Sequence, residues 1–186
     1  MAESNLTKQA LAAALKDLMR EQPFEKISVA QISQHCGMNR KSFYYHFQDK
    51  YALVNWIFDT EFVAAAREQD PVDQWDFLQN ISNYFYENRA FYRKALIIQG
   101  QNSFSDHFRA LLQPVLRRHI GELMDTEDIH PFLLDVYADA FFCAMARWLQ
   151  SIDCMPPEQF VELLRTLVEK TAVSVYQDMT QADNIT

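Results

Sequence analysis

The chain has 186 residues, 49% of them apolar, and a net charge of −8. This length can bury a core without disulfides or metal, in one compact body or in a small head fused to a larger body. No apolar run reaches the roughly 18 residues of a membrane span, and the first residues lack the pattern of a secretory signal. Three widely spaced cysteines without a CxxC pair argue against a disulfide framework or a zinc site, so we expect a cytoplasmic protein.

The charge is unevenly divided along the chain. Residues 1–50 contain seven Lys or Arg and five Asp or Glu, whereas residues 51–186 contain ten and twenty. The first part therefore has a net charge of +2 and the second part −10. Because phosphate attracts positive charge, a mildly basic head on an acidic body indicates that only the head approaches a nucleic acid.

In chain order, the first predicted helix spans residues 7–21, with Asn5 or Thr7 as its expected N-cap and Pro23 just after its end. Ser28 and Gln31 have the spacing of a capping box, which predicts that a second helix begins there. Gly37 ends this helix at a position that requires a positive φ. Two short helices that meet at a glycine are typical of a helix-turn-helix.

The helical pattern continues to the end of the chain. Asn39 is the predicted N-cap of the third helix and Asp49 that of the fourth. The predicted helices from the third onward span residues 40–47, 50–67, 73–88, 89–99, 106–123, 131–152 and 157–179. Their breaks include the segment around Pro71 and the segment 125–131. No stretch alternates with period two, so we predict an all-α fold of about nine helices, with a head at 1–49 and a body at 50–186.

The third predicted helix has an unusual composition. The spacing of Ile32, Met38 and Phe43 predicts a small core together with Leu15 and Leu18. The remaining side chains of the helix are polar or aromatic: Arg40, Lys41, Ser42, Tyr44, Tyr45 and His46. A short exposed helix with so many hydrogen-bond donors is typical of one whose N-terminal end enters the major groove of DNA.

The segment 27–53 resembles the N-terminal DNA-binding domain of the TetR family of bacterial transcription regulators. The family pattern is found at Ser28-Val29, Ile32-Ser33, Gly37-Met38, Asn39-Arg40, Ser42 to Phe47, Lys50 and Leu53. The strong match covers residues 7–53, and the remainder is similar only in the order and length of its helices. The sequence departs from the pattern at Gln22-Pro23, where Gly is frequent, and at Lys41, where a small residue or Pro is frequent.

This resemblance implies that the N-terminal end of the third helix contacts bases. Arg40, Lys41 and Ser42 would face the base edges, and Arg40 would form paired hydrogen bonds to a guanine. Such a pair contributes about 1–3 kcal/mol of discrimination between bases. The alternative is that the two cations simply belong to a solvated helix face.

The resemblance also implies contacts to the DNA backbone. Ser28 would donate to a phosphate at the start of the second helix, where the helix dipole favours an anion. Tyr44, Tyr45 and His46 would contact phosphates or thymine methyl groups, and Lys50 would bind a phosphate. The alternatives are a core position for Tyr44 and ordinary surface positions for Tyr45, His46 and Lys50.

In the family, the body encloses an effector pocket. Aromatic walls with a few polar groups would suit an apolar or aromatic small molecule. The candidate pocket residues are Phe62, Phe85, Tyr92, Phe108 and Trp148. The alternative, that these rings form the core of a helical bundle, is favoured by their helical spacing.

The last two predicted helices have wide apolar faces. The family pairs this helical hairpin with its copy in a four-helix interface, so we expect a homodimer. The candidate interface residues are Phe141, Met145, Leu164, Leu167 and Val168. The alternative is that both apolar faces are used in the core of one chain.

We find no pattern of catalytic residues, metal ligands or a cofactor site, so an enzyme is not expected. The sequence instead predicts a regulator that binds double-stranded DNA at a pseudo-palindromic operator, under the control of an effector. Repression is the working expectation, although the sequence leaves activation open. The segment 28–58 further resembles regulators of dihydroxyacetone kinase operons, which suggests a protein partner for the body instead of a small molecule. A helical adaptor without DNA function is a second alternative.

Overall fold

The computed structural model describes residues 2–64, 74–98, 100, 102–124 and 130–183. Over these residues it contains nine α-helices and no β-strand. The helices are α1 (Ala2–Glu21), α2 (Val29–His35), α3 (Arg40–His46), α4 (Lys50–Phe58), α5 (Gln74–Glu87), α6 (Arg89–Ala95), α7 (Phe104–Met124), α8 (Pro131–Gln150) and α9 (Pro157–Asp183). A 3-10 turn, Phe24–Lys26, precedes α2, and a π-helical turn, Asp59–Val63, continues α4. The predicted all-α fold is confirmed.

Some helix ends differ from the prediction. The first helix α1 begins at Ala2, so neither Asn5 nor Thr7 is its N-cap. Helix α6 ends at Ala95 rather than at residue 99. The break predicted around Pro71 and most of the break at 125–131 lie outside the described residues. None of the helices over the described ranges is long and apolar enough to cross a membrane.

The predicted caps of α2 and α3 are present. Gln31 N donates to Ser28 Oγ at 3.2 Å, and Ser28 N donates to Gln31 Oε1 at 2.8 Å, which completes the capping box. Ser42 N donates to Asn39 Oδ1 at 2.9 Å at the start of α3. Because these caps depend on residues three positions apart, they specify where both helices begin.

The turn between α2 and α3 has the geometry of a Schellman motif. Gly37 has a φ of 71°, in the left-handed region that favours glycine. Met38 N donates to Ser33 O at 2.8 Å, and Gly37 N donates to Gln34 O at 3.0 Å. These two hydrogen bonds satisfy carbonyl groups at the end of α2 and direct the chain into α3.

The predicted head core is present. Leu15, Ile32 and Phe43 are completely buried, Leu18 is buried as well, and Met38 is half-buried. Helices α1, α2 and α3 contact one another through these side chains. This small core holds α3 with one face inward and the opposite face in solvent.

The chain divides into two compact units. The first contains Met1–Asp70 and Asn88–Phe108, and the second contains Pro71–Glu87 and Arg109–Thr186. Helix α6 belongs to the first unit, in which Lys94 Nζ donates to the carbonyl oxygens of Met19 and Arg20, at the end of α1. The domain boundary predicted between residues 49 and 50 follows the sequence motif and stays a prediction.

Candidate nucleic-acid interface

Helix α3 has one buried face and one exposed face. Phe43 and Phe47 lie one turn apart and are both buried, which turns the intervening positions outward. Tyr45 is 83% exposed and Tyr44 48% exposed. Among the other predicted contact residues of the helix, the exposed ones are Arg40 and Lys41, and the half-buried ones are Ser42 and His46. The structure therefore brings six of the predicted DNA-contact residues together on one short helix.

The cations at the start of α3 have no acidic partner among the residues that the structure describes. Neither Arg40 nor Lys41 forms an ion pair with any residue of the described ranges. Arg40 Nη2 donates to Tyr44 Oη at 3.2 Å, and the guanidinium lies 5.5 Å from the centroid of the Tyr44 ring. Arg40 is thus held by an aromatic neighbour one turn along the helix and keeps most of its donors for a ligand.

Ser28 lies exposed at the N-terminus of α2. Its hydroxyl donates to Gln31 Oε1 at 2.9 Å, within the capping box. The same hydroxyl accepts a hydrogen bond from the backbone of α2, so it serves first as a helix cap. A phosphate at this position would receive the hydroxyl hydrogen that Gln31 now accepts.

Lys50 has a structural role that the sequence did not predict. Its Nζ donates to the carbonyl oxygens of Phe24 at 2.7 Å, Ile27 at 2.8 Å and Glu25 at 3.3 Å, and it lies 4.2 Å from the centroid of the Phe24 ring. Partial burial lowers the pKa of Lys50, and the charge of Glu25 opposes this effect. Since the three ammonium hydrogens have protein acceptors, a phosphate would have to compete with the carbonyl groups.

Three of the predicted pocket residues lie in the core of the first unit. Phe62, Tyr92 and Phe108 are buried and surround Phe58, with ring centroids 5.4, 6.2 and 5.9 Å from its own. Phe58 was not singled out in the sequence, because the sequence does not show which ring lies at the centre. The contacts favour a core role for these rings, and their role in a pocket stays a prediction.

The other two predicted pocket residues lie in the second unit. Phe85 is completely buried, and Trp148 is stacked on Phe160 with 4.3 Å between ring centroids. Trp148 Nε1 donates to Met155 O at 2.9 Å, in the turn between α8 and α9. Trp148 therefore holds this turn against α8, and an effector contact from either ring stays a prediction.

The predicted interface residues fall on different faces of α8 and α9. Phe141 and Met145 are buried within the second unit, Leu164 and Val168 are half-buried, and Leu167 is exposed. The exposed apolar side chains of these helices are Phe132, Leu133, Val136, Tyr137, Leu163 and Leu167. We call these six residues the apolar face of the second unit. It shares only Leu167 with the set chosen from the sequence.

The fold and the exposed cationic helix define a helix-turn-helix protein, and comparison with known families supports this assignment. Residues 10–57 match the model of bacterial regulatory proteins of the tetR family, and residues 73–170 match a model described as a transcriptional regulator C-terminal region. The second match alone covers more than half of the chain. The chain belongs to the TetR family of bacterial regulatory proteins.

Individual relatives agree with this result. The HTH-type dhaKLM operon transcriptional activator DhaS of Lactococcus lactis is 29% identical over 153 residues, which cover 79% of this chain and 81% of DhaS. The structure of a dihydroxyacetone kinase operon activator DhaS has a TM-score of 0.62 at 24% identity, over 89% of this chain and 96% of that one. The structure of a TetR transcriptional regulator from Streptococcus agalactiae has a TM-score of 0.70 at 22% identity, over 90% of this chain and 96% of that one.

These matches confirm the predicted family and the predicted similarity to the DhaS-like subgroup. The chain is a DNA-binding transcription regulator with a helix-turn-helix, and not an enzyme. Helix α3 is the second helix of that motif, the position that the recognition helix occupies in helix-turn-helix proteins.

Proposed function

We propose that this chain acts in the cytoplasm as a homodimer that binds a pseudo-palindromic operator, with one α3 helix in the major groove of each half-site. The observation that carries the proposal is the exposed N-terminal end of α3, where Arg40 and Lys41 have no acidic partner in the described structure. Two copies related by a twofold axis would contact half-sites about one helical turn, roughly 34–36 Å, apart.

In this proposal the two ends of α3 have different tasks. Arg40, Lys41 and Ser42 at the start of the helix contact base edges and provide specificity. Their support is their position in the first turn, directly after the N-cap Asn39. The first turn of a recognition helix is the part that reaches deepest into the groove.

The remaining contacts position the helix on the DNA backbone. Tyr44, Tyr45 and His46 contact phosphates or thymine methyl groups, and Ser28 donates to a phosphate at the start of α2. The high exposure of Tyr45 supports this role, because exposure of a large aromatic ring to water is unfavourable and a bound ligand would cover it. Lys50 is left out of the proposed contact set, since three carbonyl groups hold its ammonium group.

We further propose that the apolar face of the second unit is covered by the same face of a second copy. Phe132, Val136 and Leu167 are among the largest exposed apolar side chains of the described residues. The small side chains of Ala140 and Cys143 are also exposed on α8 and would allow close helix approach. Exposed apolar side chains of this size are unfavourable in water, and two helices that carry them suit the isologous helical pairing of a twofold dimer.

The similarity to the DhaS-like subgroup bears on the direction of regulation and leaves two classes of effector. Because the Lactococcus relative is named as a transcriptional activator, activation is better supported than the repression expected from the sequence. An effector would act by binding one spacing of the two α3 helices more tightly than another. The effector is a small molecule or a partner protein, and it binds the part of the chain that follows α4. A reporter gene placed behind the operator, with and without the protein, distinguishes activation from repression.

The test of DNA binding begins with selection of bound duplexes from a random-sequence pool by the full-length protein. We expect an enriched sequence with twofold symmetry. The double variant Arg40→Ala/Lys41→Ala should then lose operator binding by more than a hundredfold, since each base-contacting cation contributes about 1–3 kcal/mol. The control Arg117→Ala/Arg118→Ala removes the same charge from two adjacent exposed positions of α7, in the second unit, and should bind normally.

Two outcomes would contradict the proposal. The first is a double variant of α3 that is dimeric and folded but still binds the selected operator as the wild type does. The second is the absence of any enriched sequence, which would favour the adaptor alternative. Circular dichroism and sedimentation of each variant separate a lost contact from a lost fold.

A further inference from the structure

The first unit contains an open cleft beside the C-terminal end of α3. It has a volume of about 450 Å³ and is lined in part by Lys8, His46 and Gln48. These three side chains come from α1, from the last turn of α3 and from the segment between α3 and α4. Three hydrogen-bond donors from separate parts of the chain therefore converge on one surface next to the recognition helix.

None of these donors has a hydrogen bond or an ion pair with the described residues. Two carboxylates, Asp49 and Asp59, line the same cleft, but both have other partners. Asp49 Oδ1 accepts from the backbone of α4 at 2.8 Å, and Asp59 Oδ1 accepts from His107 Nε2 at 2.7 Å. Neither carboxylate forms an ion pair with Lys8, so the Lys8 ammonium group has no salt-bridge partner among the described residues.

The Lys8 ammonium group is nevertheless held in place. It lies 5.7 Å from the centroid of the Phe47 ring and 5.8 Å from that of Trp56. Both rings belong to the first unit, so the cation is fixed relative to α3 by cation–π contacts. A restrained cation loses less conformational freedom when it binds an anion than a mobile lysine does.

We propose that Lys8, together with Gln48 and His46, binds a phosphate of the DNA backbone at the C-terminal end of α3. The inference rests on the proposed function and extends the DNA-contact surface from the helix-turn-helix to α1. A helix of seven residues is about 10 Å long, so one duplex can contact Arg40 at one end of α3 and Lys8 near the other.

A phosphate contact by a lysine has a measurable signature. Each neutralised phosphate changes the slope of log K against log salt concentration by about 0.9. In a dimer, Lys8→Met should therefore reduce the magnitude of the slope by about 1.8. When the salt concentration rises from 50 to 200 mM, the fold decrease in the binding constant should be about ten times smaller for Lys8→Met than for the wild type. The loss of affinity should be equal for the operator and for an unrelated duplex, because the contact is to the backbone.

Three further variants make the result specific. Lys8→Arg keeps the charge and should retain the wild-type slope. Lys170→Met removes the same charge from α9, outside the first unit, and should leave the slope unchanged. Gln48→Ala should weaken binding without changing the slope, because a neutral amide releases no counterion.

The inference is overturned if Lys8→Met has the same salt slope as Lys170→Met while the wild type binds its operator. It is also overturned if Lys8→Met weakens only the calorimetric binding of inorganic phosphate, which would indicate a site for a small free anion. If the wild type binds no DNA, the proposed function fails first, so the two failures can be told apart.

Discussion

At the scale of single residues, Tyr44 is the neighbour that holds Arg40. The hydroxyl accepts from Arg40 Nη2, and the ring lies under the guanidinium. We expect Tyr44→Phe to lower the operator affinity of the dimer about thirtyfold, because it removes one hydrogen bond worth about 1 kcal/mol in each of the two copies and keeps the ring. The measurement is operator binding by fluorescence anisotropy at fixed salt concentration.

A double-mutant cycle identifies how this hydroxyl acts. If it acts through Arg40, Tyr44→Phe should have no further effect in an Arg40→Ala background. An equal loss in both backgrounds would show instead that Tyr44 contacts the DNA directly, as the family resemblance implies. The cycle therefore separates a positioning role from a phosphate contact.

Residues differ in how far their roles could be predicted from the sequence. The caps Ser28 and Asn39 were predicted correctly because their partners lie three positions away in the chain. The hydrogen bonds of Lys50 to three carbonyl groups were not predicted, because these acceptors lie 23 to 26 positions away and are backbone atoms. A carbonyl group carries no signal in the side-chain pattern.

At the scale of elements, the turn at Gly37 joins the two helices of the DNA-binding motif. A Cβ atom added there would meet no atom within 4 Å, so only the positive φ opposes a substitution. We expect Gly37→Ala to destabilise the protein by about 1–2 kcal/mol, the penalty of a left-handed conformation for an ordinary residue. The measurement is the urea midpoint followed by circular dichroism.

Gly37→Asn is the matched control for this prediction. Asparagine tolerates the left-handed region better than alanine does, so its urea midpoint should lie between those of Gly37→Ala and the wild type. If alanine and asparagine at this position both unfold at the wild-type midpoint, the turn does not depend on the positive φ.

The faces of the helices were harder to predict than their positions. Helix α8 has apolar side chains on both sides, so its periodicity alone does not decide which side is the core. In the structure Phe141 and Met145 are buried, whereas Phe132 and Val136 are exposed. The π-helical turn Asp59–Val63 was likewise not predicted, because a shift of backbone hydrogen bonds leaves no pattern in the side chains.

At the scale of the whole molecule, the proposed function requires two chains, and the apolar face of the second unit is what would join them. We expect Val136→Glu/Leu167→Glu to raise the dissociation constant of the dimer by at least about a hundredfold. Each substitution occurs in both copies, so each would bury two charges in the interface. Sedimentation over a range of protein concentrations measures this shift. Ile152→Glu is the control, since Ile152 is 93% exposed and not part of the apolar face.

The same variant links the dimer to DNA binding. A single chain contacts one half-site, so it loses the gain in effective concentration that a dimer obtains at a two-half-site operator. Val136→Glu/Leu167→Glu should therefore bind the full operator no more tightly than a single half-site, although α3 is unchanged. If the variant stays dimeric at the lowest measurable concentration, the two copies meet elsewhere, and the face must have another occupant. A monomeric variant with full operator affinity would instead show that pairing is dispensable for DNA recognition.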